Sequence, residues 1–205
     1  TTIFAPYFVA GAIHSGFAMV LTLLIPLRKL FKVEDLITVR HLEQMAKVII
    51  LTGLIVGYAY GMEFFIAWYS GNETELSVFI YRATGDFAVQ FWIMVICNSV
   101  IPLAFFWKKV RTSLGWLLVI SILVNVGMWF ERFNIIVPSL GHDFYPYTWG
   151  IYVPTPTDTM IVIGSFAFFF LLLLGFIRVM PSLSIVEVKE TLAPPMKDTA
   201  HGRHH

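Results

Sequence analysis

Five long apolar stretches run through the chain, at about 7–27, 48–70, 87–107, 112–136 and 159–177. Each is close to the roughly 20 residues that a helix needs to cross the hydrocarbon core of a bilayer. The polar residues gather between them in short runs. This pattern predicts an all-α membrane protein with five transmembrane helices, a four-helix bundle plus a C-terminal helix. The bundle domain is expected over 1–180. Residues 181–205 read as an extended or disordered polar tail, with Pro194, Pro195 and several histidines.

The connections refine the picture. Residues 33–46 mix Leu36, Ile37, Leu42 and Met45 with charges, which predicts an amphipathic lead-in to the second span. Residues 73–81 predict a short interfacial helix. Residues 138–156, rich in Pro, Gly, Tyr and Trp, predict an ordered loop at headgroup level, where Tyr and Trp prefer to sit. Lys and Arg set the orientation, because cytoplasmic loops carry the excess. Arg28, Lys29, Lys32, Arg40 and Lys47 follow the first span. Lys108, Lys109 and Arg111 follow the third, and Arg178, Lys189, Lys197 and Arg203 follow the fifth. Only Arg82 and Arg132 fall on the other side. The N-terminus is therefore expected outside and the C-terminus in the cytoplasm. The chain begins with Thr1 and has no basic region and cleavage site of a signal peptide. An outside N-terminus without a signal predicts a piece of a longer polypeptide whose earlier spans precede it.

Composition narrows the class. Of the 205 residues, 58% are hydrophobic and 13% charged, about half the charge of an ordinary soluble domain. The net charge of +1 gives no electrostatic support for a nucleic-acid partner. The one cysteine, Cys97, excludes an internal disulfide. It also excludes an iron–sulfur cluster held by this chain alone, since such clusters take about four thiolates. No zinc-ligand spacing occurs, and a bis-histidine haem would need a second histidine within a span beside His14.

Ionisable groups inside a membrane are costly and point to function. The candidates are His14, Glu63, Glu131 and Arg132, all in the outer half of the bilayer by their distance from the span ends. Thr52 and Glu63 are eleven residues apart, which returns to nearly the same helix face. Gly127, Glu131 and Asn134 share one face of the fourth span, and Ser121, Asn125 and Arg132 another. Gly53, Gly57 and Gly61 form a close-packing stripe. A carboxyl group here suits a proton path or a quinone-headgroup pocket. The alternative is an ion-pair latch, Glu63 or Glu131 with Arg132, that only locks the bundle. Asp158 is expected as the N-cap of the fifth span and Asp86 at the start of the third. Asn98 is expected to hydrogen-bond a neighbouring helix, and His142 and Asp143 to lie on a solvated loop.

Residues 40–45 (RHLEQM) and 56–72 (VGYAYGMEFFIAWYSGN) resemble a polysulfide-reductase/NrfD-type membrane subunit. So do residues 125–136 (NVGMWFERFNII) and 6–19 (PYFVAGAIHSGFAM). The likeness extends to about Glu190 and is greatest to the larger such subunit of bacterial alternative complex III, a quinol-oxidising complex. The resemblance implies the second half of a subunit of about ten spans, in a bacterial inner membrane. It implies an outer iron–sulfur subunit, haem c subunits and a second NrfD-like membrane subunit as partners. The chain itself would bind no cofactor, with quinol as substrate and the iron–sulfur clusters and haem c on partners. Proton transfer through Glu63, Glu131, Arg132 and His14 is the expected contribution of this half. The rival readings are a non-redox transporter half and a purely structural anchor.

Overall fold

A computed structural model describes residues 3–34, 36–141 and 150–180. Every regular element among them is helical, and five helical segments are long and apolar enough to cross a membrane. The protein is a multi-pass membrane protein. The chain divides into two units, Thr1–Tyr152 and Val153–His205.

In the first unit, α1 (Phe4–Leu30) packs against α2 (Val39–Tyr69) and α6 (Leu114–Gly141). The third span completes a four-helix bundle between α2 and α6. Two apolar clusters fill the bundle. One, near the 31–38 connection, joins Leu21, Leu42, Ile49, Phe105, Leu117 and Val124. The other, near the opposite end, joins Tyr7, Val56, Ala59, Tyr60, Phe91 and Met94. The outward face of α2 stays apolar, with Leu51, Leu54, Ile55 and Phe65 exposed, as contact with lipid requires.

Several elements depart from the sequence reading. The amphipathic lead-in to the second span is continuous with that span from Val39 on. Helix α2 buries Leu42 and Ala46 in the cluster near the 31–38 connection. The fourth span continues through Pro138 to Gly141. Proline is tolerated in a membrane helix where neighbours re-satisfy the backbone. Between the spans, Gly71 takes φ +66°, a left-handed conformation that suits glycine. Asn72 then caps the short α3 (Glu73–Thr84) by accepting from the backbone N–H groups of Thr74 and Glu75. The Trp92 indole N–H donates to the Ala83 carbonyl at 3.2 Å and ties α3 to the third span. Asp86 does not cap that span. It accepts from the Tyr81 hydroxyl at 2.6 Å, and this hydrogen bond raises the Tyr81 pKa.

The third span is three pieces rather than one helix. It runs as α4 (Ala88–Val95), a π-turn (Ile96–Val100) and a 3-10 segment (Ile101–Phe106), and the short α5 (Lys108–Arg111) follows. Pro102 supplies the reason. It has no N–H, so the Asn98 carbonyl loses the donor that an α-helix would place four residues on. The ladder widens and then tightens around that gap.

In the second unit, α7 (Pro156–Val179) opens with Thr155 as its N-cap. Asp158 sits at the third helical position and accepts from the Thr155 N–H at 2.9 Å. The pair forms a capping box, so Asp158 is the reciprocal partner of the cap and not the cap itself. His142, Asp143 and the 181–205 tail lie outside the described residues.

Candidate functional site

Between the two apolar clusters lies a layer of buried polar side chains. Glu131 on α6 is 1% exposed and is its centre. The Tyr60 hydroxyl on α2 donates to Glu131 Oε2 at 2.5 Å. Asn98 of the π-turn donates its Nδ2 to the Tyr60 oxygen at 2.9 Å and to the same Glu131 Oε2 at 3.4 Å. Three spans therefore meet at one carboxyl oxygen. The other, Oε1, is 3.8 Å from an Arg132 guanidinium nitrogen. It also lies beside Gly11 of α1, where even a Cβ would be 3.8 Å away. The Tyr7 hydroxyl of α1 also hydrogen-bonds this carboxyl group, so Glu131 is held by three donors and lies beside one cation.

The sequence pattern explains the approach of these helices. Gly127, one turn before Glu131, has Asn98 against it. A Cβ at position 127 would fall 2.2 Å from Asn98 Oδ1. Asn134, one turn after Glu131, is 1% exposed, and its Nδ2 reaches Met94 Sδ at 3.9 Å. Tyr7 of α1 packs edge-on against Tyr60, with ring centroids 5.8 Å apart.

Glu63 is half-buried one turn beyond Tyr60. Together with Tyr7, Tyr60, Glu131, Asn134 and Arg82 it lines one small cavity. Arg82 comes from α3 and stacks its guanidinium over the Phe79 ring at 5.0 Å. Burial lowers the Arg82 pKa and Glu63 partly offsets this, but an arginine remains charged at any working pH. Arg132 is half-exposed and lies over the Phe8 ring at 4.8 Å. Glu63 and Glu131 thus share a cavity, whereas Arg132 pairs with Glu131 and Arg82 is the cation on Glu63's cavity.

His14 stands apart from this network. Its Nδ1 is 3.0 Å from the Thr52 hydroxyl, which donates to the Val48 carbonyl at 2.9 Å. With the hydroxyl proton so committed, Nδ1 must donate. His14 is fully buried and its Nε2 has no partner. Replacing Thr52 by Val should remove the hydroxyl that pairs with Nδ1 and cost about 1–3 kcal/mol. Thermal unfolding in detergent would read this as a lowered midpoint, and an unchanged midpoint would refute the pairing.

Among the described residues no three His, Cys, Asp or Glu side chains converge as a metal site requires. The donor set suits proton handling instead. Tyr60 and Tyr7 were not singled out from the sequence. The available signal was a tyrosine three residues before Glu63 on one helix face.

The polysulphide reductase, NrfD family profile matches residues 1–141. The chain belongs to the NrfD family. The match includes α1 to α6 and therefore every residue of the polar layer. Comparison with curated proteins finds no match.

Proposed function

We propose that this NrfD chain is a membrane subunit of a quinol-oxidising electron-transfer complex of the alternative complex III type, and that it moves protons. Family membership supports a quinone-linked redox complex. The observation that carries the proton role is the placement of Glu63 and Glu131 on one cavity inside the bundle. The partners in this reading are an outer iron–sulfur subunit, haem c subunits and a second NrfD-like subunit. Electrons from quinol pass to the partners' centres, and protons leave through Glu131 and Glu63 toward the α3 end. The lysine and arginine distribution supports that end as the outer one, with the N-terminus outside and the C-terminus in the cytoplasm, and the membrane in this reading is a bacterial inner membrane.

A structural anchor is the second reading, favoured by the Glu131–Arg132 pair. Glu63→Gln separates the two, because Glu63 takes no part in that pair. In the complex purified from native membranes, the variant should assemble normally and oxidise quinol about 100-fold more slowly, at the lower edge of the effect of removing a proton-transfer group. Full turnover in Glu63→Gln would support the anchor. Purification of the chain with no redox subunit would remove the quinol reading altogether.

A further inference from the structure

The cavity between Glu63 and Glu131 has the dimensions of a specific site. It offers about 10 Å³ to the centre of a water-sized sphere. A buried water needs roughly 10–15 Å³ by this measure, together with two to four polar partners. The walls supply them. Asn134 is buried, its Nδ2 is turned to Met94, and its Oδ1 has no hydrogen-bond partner in the protein. A buried acceptor left unpaired costs about 1–3 kcal/mol, so the chain has a reason to fill this position. Glu63, Glu131 and Tyr7, each with a polar group to offer, line the same space as Asn134. The charged and titratable groups around it are Glu63 and Tyr60 from α2, Tyr7 from α1, Glu131 with its neighbour Arg132 from α6, and Arg82 from α3.

We propose that this cavity is a binding site for a single water, held by Asn134 Oδ1, that links Glu131 to Glu63 as the connecting step of a proton relay. In the step, the O–H bond of the Glu131 carboxylic acid breaks and its proton passes to the water. The water gives a different proton to the Glu63 carboxylate, where a new O–H bond forms. Water is regenerated, Glu131 ends ionised, Glu63 ends neutral, and net charge is conserved. Arg82 at the Glu63 end favours return of that residue to the anion, which directs the proton outward. Asn134 is here a positioning residue, since it holds the water and carries no proton itself. The relay rests on the proton-transfer reading above, but occupancy of the water site does not.

The test uses the whole complex from native membranes. A cryo-EM map fine enough to resolve ordered waters should place one density within hydrogen-bonding distance of Asn134 Oδ1 and at least one of the two carboxyl groups. Asn134→Leu, similar in size and without the acceptor, should remove that density and slow quinol turnover about tenfold, less than the roughly 10²–10⁴ that loss of a proton-transfer group itself costs. It should also slow hydrogen–deuterium exchange of the Glu131 carboxyl, followed by infrared spectroscopy, which needs no turnover. Asn134→Ser, which supplies a hydroxyl acceptor in place of the amide oxygen and leaves room for a water, should restore exchange and most of the rate. It also serves as the test if the leucine variant fails to assemble. No density in the wild-type map, or exchange in Asn134→Leu as fast as in wild type, overturns the water site. If Glu63→Gln slows turnover while Asn134→Leu does not, the relay through this water falls and the proton-transfer role stands. If neither slows turnover, both fall.

Discussion

Glu131→Gln is expected to lower quinol turnover by about 100-fold while the complex assembles with its full set of subunits. Glutamine has the shape of glutamate and keeps an oxygen where Oε2 stands, so Tyr60 and Asn98 retain an acceptor. What is lost is the capacity of the carboxyl group to bind and release a proton. Removing a positioned proton-transfer group costs about 10²–10⁴ in rate, and Glu131 is the most deeply buried carboxyl group of the layer. The comparison with Glu131→Ala isolates the chemistry. Alanine leaves the Tyr60 hydroxyl and the Asn98 amide without their shared acceptor, at about 1–3 kcal/mol, and opens a cavity as well. Alanine should therefore lose stability and activity together, and glutamine mainly activity, since of the contacts to charge only the half-exposed Arg132 pair goes with it. Quinol oxidation, measured beside subunit stoichiometry and thermal stability, checks both. Wild-type turnover in Glu131→Gln would make the carboxyl group a structural tie between three spans.

The spans were legible because the bilayer imposes length and apolarity on any helix that crosses it. Boundaries were less so. Leu42 and Ala46 lie among charges in the sequence, and only the packing of α1 and α6 against that turn makes them core residues. The break in the third span was also hidden. An unbroken apolar run reads as one helix, and the effect of Pro102 acts on the carbonyl of Asn98, four residues earlier. That freed carbonyl meets Gly53 of α2, where a Cβ would lie 3.2 Å from it and 3.1 Å from His14 Cε1. The glycine stripe on α2 thus admits a backbone break and a histidine, beyond helix packing in general.

The candidate site was half legible for a similar reason. A charge inside a membrane announces itself, so Glu63, Glu131, Arg132 and His14 stood out. Their pairing depends on which helices are neighbours and at what height. Glu63 faces a cavity shared with Arg82, an interfacial residue counted only for orientation. Tyrosine is ordinary in a membrane helix, so nothing in the composition distinguished Tyr60 from Tyr58. Tyr60 is 7% exposed and bonded to Glu131, whereas Tyr58 is 64% exposed.

The polar layer also fixes what the small residues must do, and Gly127 should be the least replaceable. A Cβ there would lie 2.2 Å from Asn98 Oδ1 and 2.6 Å from Cys97 Cβ. Neither obstacle is the free end of a flexible chain. Cys97 Cβ moves only with its backbone, and Asn98 is held by Tyr60 and Glu131. Gly127→Ala must therefore separate α6 from the π-turn or expel Asn98 from the network. Overpacking of this kind costs about 1–3 kcal/mol, and loss of the Asn98 bonds adds to it. At Gly57 the obstacle is the Ser99 hydroxyl at 2.9 Å and its Cβ at 3.1 Å. The hydroxyl can rotate, so Gly57→Ala should cost less. Gly61 has nothing within 4 Å of a Cβ. There alanine gains helix propensity of about 1 kcal/mol and meets no clash, so Gly61→Ala should be neutral or stabilising. Thermal unfolding of the three variants in one detergent should rank them Gly127, Gly57, Gly61 from most to least destabilised. A Gly127→Ala protein as stable as Gly61→Ala would mean that the third span does not approach α6 at Asn98. The three-helix junction on Glu131 would fall with it, because Asn98 can reach the carboxyl group only across that glycine.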